Sequence, residues 1–538
     1  MAKKNMESQM KHDFAKVNVN DWPRSRFRSP QAYKTMIDSG KIYPFLCEEV
    51  LPGDLWQLRT HAFGRLVSTL VPFMDNLYLD IHYFFVANRL VWDNWQAFMG
   101  EREDPADDPS TYSIPVVTCP SGGWAEESLA DYFGIPTKLD NADVNALPFR
   151  AHNFVQKWWF RDQNLIDGSD YPINNASNGP DTDTDYGIYR RGKRHDYFTS
   201  CLPWPQKNAT AVSLPLTGDA PLKGIGPVGD GFHGSIPTVY ETGESSGSTF
   251  SQGVFVGNTG NEVFYAEEDP NNSGYPGFFA DLSGVSAASI NDLRESIAFQ
   301  QAYEIDARGG TRYNESIKSH WGVNHPTEGY RPEFLASSSA ALYQTPVPNT
   351  SDTAGAKQGD LTSYSVVSEN NSGFIYGATE HGWILGYMSI RSDLTYSQGI
   401  HRKWTRSTKF DHYMPVLANL GEQAVLNKEI YYQNVAGTGA SQDDGVFGYQ
   451  ERWAEYRYGH SLHTGALRHN YTGTLNKWHL GQEFSSLPTL GQTFIEETPP
   501  VSRVVAVTSQ PEFVMDLLVD KNVTRVMPMY SEPGLYRV

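Results

Sequence analysis

Several clusters in this sequence carry residue types capable of chemistry, and the neighbours of each decide whether that chemistry is supported. Gly224-Ile-Gly226-Pro-Val-Gly229 has the GxGxxG spacing that cradles a dinucleotide pyrophosphate, a turn that needs a strand before it and a helix N-terminus after it. Pro227 and the Gly229-Asp-Gly231 sequel supply neither, so no cofactor is expected. Asp181, Asp183 and Asp185 imitate the opening of a calcium loop, but Tyr186 stands where the turn needs glycine and Gly192 where the bidentate carboxylate belongs. Glu451 and Glu455, if helical, share a face as a glycosidase pair would, yet Arg452 and Arg457 beside them would hold both ionised, which predicts salt-bridged structure. The histidines show no metal-ligand spacing, and there is no Walker loop, HExxH or GxSxG, so neither a catalytic nor a metal site is expected. His401-Arg402-Lys403-Trp404-Thr-Arg406 interleaves cations with an aromatic, the pairing that holds single-stranded nucleic acid by phosphate contact and base stacking. A solvated basic loop with one anchoring tryptophan accounts for it equally well.

The formal net charge of -19 argues, as an average, against a nucleic-acid partner, because phosphate neutralisation needs Lys and Arg. The distribution is uneven, however. Residues 1–34 hold Lys3, Lys4, Lys11, Lys16, Arg24, Arg26, Arg28 and Lys34 against Glu7, Asp13 and Asp21, a local net of +5. Arg190, Arg191, Lys193 and Arg194 form a second basic knot, and Arg402, Lys403, Arg406 and Lys409 a third. Basic islands on an acidic body suit a protein that meets polyanion on one side only.

These clusters must be positioned by strands and loops. Aromatics make up 13% of the 538 residues, with 47 Gly and 32 Pro, a composition that fits pleated surfaces and turns better than helical bundles. Leu77, Leu79, Ile81, Tyr83 and Phe85 alternate with Asp80 and His82, which predicts a half-buried strand. Trp383 to Ile390 is apolar at both parities and reads as a strand buried on both faces, and Val501 to Thr508 repeats that texture near the C-terminus. Strands at the beginning, late middle and end predict one sheet framework closed by distant segments. Helices are expected at Ala288 to Ala307, with Ser289 and Asp292 as a capping pair, and from Pro148 to Asp162, both bracing the sheets. Residues 1–40 read as an extended basic arm that orders against a neighbour, and residues 205–285, rich in Gly, Ser, Thr, Asn and Pro, as an insertion forming a surface protrusion. Cys47, Cys119 and Cys201 are too few and too scattered for a disulfide scaffold, and the polar residues after Lys4 leave no apolar core for a secretory signal. No apolar stretch is long enough to cross a bilayer, so no membrane insertion is expected.

Blocks of sequence along the whole chain carry a resemblance. Leu51-Pro-Gly-Asp54, Pro72-Phe-Met-Asp-Asn76, Tyr83-Phe-Phe-Val86, Asn88-Arg-Leu90, Trp92-Asp-Asn-Trp95 and Phe98-Met-Gly-Glu101 come first. Arg308-Gly-Gly-Thr-Arg-Tyr313, Thr379-Glu-His-Gly382, Gly421-Glu-Gln-Ala424, Asn427-Lys-Glu-Ile430 and Phe447-Gly-Tyr-Gln-Glu-Arg-Trp-Ala-Glu-Tyr-Arg457 follow in order. Together they resemble the major capsid proteins of gokushoviruses, a branch of the microviruses, which are small icosahedral phages with single-stranded DNA. The resemblance implies an all-β-dominated fold, an eight-stranded antiparallel jelly roll with long inter-strand loops spanning 41–538, a few short helices and an insertion near the three-fold axis. It implies a homo-oligomer of about sixty copies around a circular single-stranded DNA genome, assembled in the bacterial cytoplasm. Expected partners are a small basic DNA-packaging protein, scaffolding and pilot proteins, and a host cell-surface receptor.

On this reading Lys3, Lys4, Lys11, Arg190, Arg191, Lys193, Arg194, Arg402, Lys403, Trp404 and Arg406 face the DNA, while Gly224, Gly226, Tyr240, Phe255, Phe264 and Tyr265 belong to a host-attachment protrusion. The competing expectations are a β-rich carbohydrate-active enzyme, suggested by the acidic charge and abundant Trp and Tyr, and a glycan-binding module that does not assemble. Enzymes of that kind are commonly secreted, which the missing signal disfavours.

Overall fold

The computed structural model describes residues 23–101, 111–207, 222–223, 225–227, 238–239, 248–249, 264–266, 279–280, 290–324, 329–353, 357–433 and 440–530. The chain divides into two compact units, Met1–Pro205 with Gly309–Val538, and Gln206–Arg308.

In the first unit nine strands build two antiparallel sheets: β1 (Arg24–Ile37), β2 (Ile42–Val50), β3 (Leu55–Thr69), β4 (Leu77–Ala87), β5 (Glu333–Ala341), β6 (Tyr343–Pro348), β7 (Leu361–Gly377), β8 (Gly382–Ser392) and β9 (Phe513–Val526). One sheet runs β1-β9-β3-β7-β6 and the other β5-β4-β8-β2. Their facing sides share one core, with Trp56, Leu58, Phe513, Met515, Leu517 and Phe374 from the first sheet meeting Phe45, Leu79, Ile81, Tyr83, Ile384 and Met388 from the second. Within the first sheet Gly64 leaves room for its cross-strand neighbours, because a Cβ there would stand 2.6 Å from Met515 Sδ and 2.8 Å from Val367 Cγ1.

The two sheets differ in what covers their other sides. In β9 Phe513, Met515, Leu517 and Val519 are buried while Val514, Asp516 and Leu518 between them are exposed, and β3 alternates in the same way, so this sheet keeps one face open. The four-stranded sheet is covered on both. Phe84, Val86, Leu385 and Tyr387 point away from the shared core into a second cluster with Trp92 and with Leu147, Ala151, Phe154 and Val155 of helix α1 (Leu147–Val155). Trp383–Ile390 is therefore the doubly covered strand expected of it, but β4, expected to be half-buried, is mostly buried at both parities. Its polar positions are tolerated because they are bonded: Asp80, 3% exposed, is ion-paired to two arginines.

Other expectations change under tertiary constraint. Val501 to Thr508 is no strand. Val501, Val504 and Val505 are buried at i, i+3 and i+4 around a single helical turn, a spacing that lets all three enter the core, and the C-terminal strand is β9 instead. Residues 24–37, expected within an arm that orders against a neighbour, pair along their length with β9, from Arg24 opposite Val526 to Ile37 opposite Phe513. Helix α1 ends at Val155 and continues as a wider π-type turn through Phe160. That turn gives each of three successive aromatics a ring contact, Trp158 against Phe154, Trp159 stacked on Phe334 at 4.9 Å, and Phe160 against Phe84. In the second unit helix α2 (Ile290–Arg308) lies where a helix is expected, with Leu293 and Ile297 exposed, while its capping residue Ser289 lies outside the described residues.

Two buried ionic groups mark where the connections lock onto the sheets. Arg150, fully buried in α1, donates Nε and Nη2 to the two oxygens of Asp181 at 2.7 and 2.8 Å, and the Tyr186 hydroxyl donates to the same carboxylate at 2.6 Å. This uses the first aspartate of the calcium-like run, so Asp181 is a structural acceptor. Arg150→Ala should cost about 3–5 kcal/mol by stranding Asp181, read from chemical unfolding of the purified protein. Glu497 is also fully buried, and loss of solvent pushes its carboxyl up to about 7 against Ser392 N–H donation and the charges of Arg391 and Arg191. A glutamate unfolds to an ordinary value of about 4.3, so the folded state holds the extra proton in between, and stability falls as pH rises through that window. Glu497→Gln should remove this slope; melting temperatures of both proteins measured from pH 4 to pH 8 should diverge in favour of the variant as pH rises.

Candidate functional site

The open face of the five-stranded sheet collects a charge the sequence does not display as a cluster. The β1 to β9 register sets Arg24, Arg26, Arg28 and Lys34 on the same side as Asp520 and Asp516, and the β9 to β3 register continues that side onto Arg59, His61, Phe63 and Arg65. Arg24, Arg26, Arg28, Lys34, Arg59 and Arg65 are all exposed. Six cations thus meet two carboxylates on one face of a chain whose net charge is -19. Among the described residues only Arg28 is ion-paired there, to Asp520 at 3.0 Å. Arg26 reaches Gln57 at 3.4 Å, and the Arg65 guanidinium lies over the Phe63 ring at 5.1 Å. Exposed Phe63, Leu518 and Val514 on β3 and β9, and Tyr364 and Tyr343 on β7 and β6, intersperse apolar and aromatic surface with these charges. A flat, cationic face with accessible rings can bind phosphate oxygens and offer stacking surfaces. Arg59 and Arg65 were missed from the sequence; their alternate spacing with His61 on a strand is the signal that placed them on one side.

The knot at 190–194 is corrected by its burial. Arg191 donates to Asp80 at 2.9 Å and to Ser389 Oγ at 2.6 Å, and lies over the Phe160 ring. Asp80 feels burial most, which would raise its carboxyl, but Arg191, Ser339 and Arg391 together hold it below the ordinary value. Lys193, 6% exposed, sits over the Phe494 ring at 4.2 Å, and burial brings its ammonium down to about 8. Arg190 donates to the Glu497 carbonyl, and Arg194 pairs with Asp393 at 3.0 Å while covering the Tyr78 ring. These four cations anchor the segment to the sheets, so Arg191 and Lys193 do not face solvent.

The third cluster divides in two. Arg402 donates to the Ala424 carbonyl at 2.8 Å and approaches Glu429 at 3.4 Å, and Arg406 donates to Glu455 at 3.0 Å over the Tyr456 ring. Burial acts to raise the Glu455 carboxyl, but the Gln423 amide and Arg406 outweigh it and hold it ionised. Glu455 therefore takes Arg406 as its partner, and Glu451 takes Arg457, so the salt-bridged reading of the pair holds with one partner exchanged. Lys403 and Trp404 remain exposed, the ammonium 5.3 Å from the ring centroid, and Trp404 is 73% accessible. Around them Phe410, Val416 and Leu420 are exposed, Val416 at 92%, and Leu462 and Tyr471 follow farther along the β8 to β9 connection. Large apolar side chains exposed along this connection are the residue type that interfaces use.

Lys3, Lys4 and Lys11 lie outside the described residues, as do Gly224, Tyr240 and Phe255. Gly226 and Tyr265 oppose each other where the strand Ile225–Pro227 pairs antiparallel with Phe264–Ala266, Phe264 standing opposite Pro227. These two strands belong to the second compact unit. Within the GxGxxG run, Ile225–Pro227 therefore form a strand paired with a distant segment.

Comparison with known proteins gives this geometry its setting. Residues 15–535 match the family model described as capsid protein (F protein). Capsid protein VP1 of Bdellovibrio phage phiMH2K is 40% identical over 533 residues, covering 98% of each chain. Capsid protein VP1 of Chlamydia phage 1 is 38% identical over 604 residues and the whole of both chains, and that of Spiroplasma virus 4 is 35% identical over 557 residues and 98% of each. With two sheets, a one-sided basic face, an exposed apolar loop surface and full-length likeness to these proteins, the chain belongs to the capsid protein (F protein) family of gokushovirus-type microviruses, and it is a structural protein of the virion, not an enzyme.

Proposed function

We propose that the chain is the repeating subunit of a closed T=1 shell of about sixty copies that encloses a circular single-stranded DNA genome, with the open face of the five-stranded sheet turned toward the nucleic acid. The observation that carries the inward assignment is the concentration of Arg24, Arg26, Arg28, Lys34, Arg59 and Arg65 on one side of an acidic chain. Such a face lowers the repulsion that a net charge of -19 per subunit would otherwise exert on the genome. Lys403 with Trp404, and the basic residues of 1–22, extend the same set, whereas Arg191 and Lys193 leave it. A small basic DNA-packaging protein supplies the remaining neutralisation, and scaffolding and pilot proteins accompany assembly.

The framework is an eight-stranded jelly roll with β6 as an added edge. Support comes from the strand order: β1, β3, β7 and β9 share one sheet, β2, β4, β5 and β8 the other, so the chain crosses between sheets at most steps, as that topology requires. The connections from β4 to β5 and from β8 to β9 are the long loops, and their exposed apolar residues meet neighbouring copies. The insertion at 205–285 forms the protrusion near the three-fold axis and carries host attachment, with Gly224, Gly226, Tyr240, Phe255, Phe264 and Tyr265 within it. Assembly takes place in the bacterial cytoplasm before the subunit becomes part of the virion.

Expression of the full chain with its viral partner proteins tests the assignment. Electron microscopy should show hollow megadalton particles for the wild type and for Arg26→Glu combined with Arg59→Glu and Arg65→Glu. The triple variant should protect several-fold less DNA from nuclease, and its affinity for a single-stranded oligonucleotide should lose salt dependence by about 0.7 in logarithmic slope for each phosphate contact removed. Unchanged protected DNA would reject the inward face. Deleting residues 235–255 should leave particles intact while adsorption to host cells falls at least about tenfold; full adsorption would remove the insertion from that role.

A further inference from the structure

Three residues from two connections converge beside a glycine. Asp75 lies between β3 and β4, and His463 and His479 lie between β8 and β9; one ligand atom from each falls within 4.8 Å of the others. The two imidazoles stack at 3.8 Å between centroids, and a Cβ on Gly481 would stand 2.8 Å from His463 Nδ1 and 2.9 Å from His479 Nδ1. Both Nδ1 atoms therefore border the space that the missing side chain leaves. His463 is 8% exposed and its Nδ1 has no hydrogen-bond partner. The other ring has its tautomer set: His479 Nε2 lies 2.8 Å from the Leu467 carbonyl, which can only accept, so that nitrogen carries the proton and Nδ1 keeps its lone pair. Gly481 N–H donates to that lone pair at 3.0 Å, so an ion bound at Nδ1 displaces this contact. Asp75 uses one carboxylate oxygen to accept from Leu480 N–H, which leaves the second for another partner.

We propose that Asp75, His463 and His479 bind a divalent transition-metal ion, for which zinc is the probe. Two imidazole nitrogens and one carboxylate oxygen form a borderline-soft set that suits zinc better than calcium or magnesium. Tetrahedral zinc with bonds of about 2.0–2.1 Å requires ligand atoms roughly 3.4 Å apart, a closure by rotation of the uncommitted His463 ring. The neighbouring cation is already directed elsewhere, since Arg503 donates to the His479 and Gly481 carbonyls and lies 3.6 Å from Glu483. His479 thus has the outer contacts that orient a metal ligand, its proton held by a backbone carbonyl. The ion ties two points of the β8 to β9 connection to the β3 to β4 turn. That connection carries exposed Leu462, Tyr471 and Leu475 close to the site in sequence, so the metal adds to the hold that Arg503 and Asp75 already have on it.

The test uses the full chain, stripped with chelator and titrated with zinc chloride by calorimetry and by thermal unfolding. The wild type should bind one zinc per chain and melt at a higher temperature. His463→Ala loses the ring stacked on His479, so it should melt somewhat below the wild type without metal, should gain no further melting temperature on adding zinc, and should bind zinc at least about tenfold more weakly. Asp75→Asn keeps an acceptor for Leu480 and should show the same loss. Failure of the wild type to bind zinc, or equal binding by all three proteins, would overturn the site. Neither result bears on shell assembly, which is read separately from particles.

Discussion

The structure depends on the hydrogen bonding of its last strand. β9 comes from the C-terminal end of the chain yet lies between β1 and β3, pairing with β1 from Arg24 to Ile37 and with β3 from Leu55 to Leu66. A strand in that position must satisfy N–H and C=O groups on both edges, so neither neighbour has its full set of partners until the distant segment arrives. The same pairing joins the two ends of the chain, which leaves the connections between them free to be long. Their closure entropy grows only slowly with length, so the connections from β4 to β5 and from β8 to β9 can carry surface function at little cost to the framework.

Closure also decides how charge is divided. The four-stranded sheet is covered by the first sheet on one side and by α1 and the Trp92 cluster on the other, so its few ions are internal and paired. The five-stranded sheet is covered once. Its alternation puts Leu and Phe inward and leaves the other parity to solvent, and on that parity β1 and β3 carry arginine and lysine. An acidic subunit thereby presents a basic plane without any basic domain. On the proposed assignment, one-sided burial of a sheet lets one framework stay acidic overall and still meet polyanion on one face.

Buried ions account for the basic knots that have no solvent role. Arg191 bridges Asp80 on β4 and Ser389 on β8, and Arg150 clamps Asp181 beneath α1. Such contacts contribute more to a unique arrangement than to net stability, because removing either partner leaves an unpaired charge. In a long connection with few helices or strands, they take the place that regular hydrogen-bond ladders hold elsewhere.

By itself the sequence determined the class of fold, the family and the strands with the clearest pattern. Period-two and doubly apolar runs are local signals, so strands at Leu77 to Phe85 and at Trp383 to Ile390 could be read directly, as could a helix from Ala288 to Ala307. The family was legible because its blocks recur in order along the chain. Tertiary structure alone decided which cations are exposed. Arg191 and Arg59 are both arginines in polar surroundings of sequence, yet one is enclosed by two strands and an aromatic ring while the other stands on an open face. It also decided that Val501, Val504 and Val505 enter the core from a turn, and that Asp75 meets two histidines from a distant loop. The reason is physical: burial, pairing and convergence depend on the packing of residues far apart in the chain, and neither composition nor spacing contains that information.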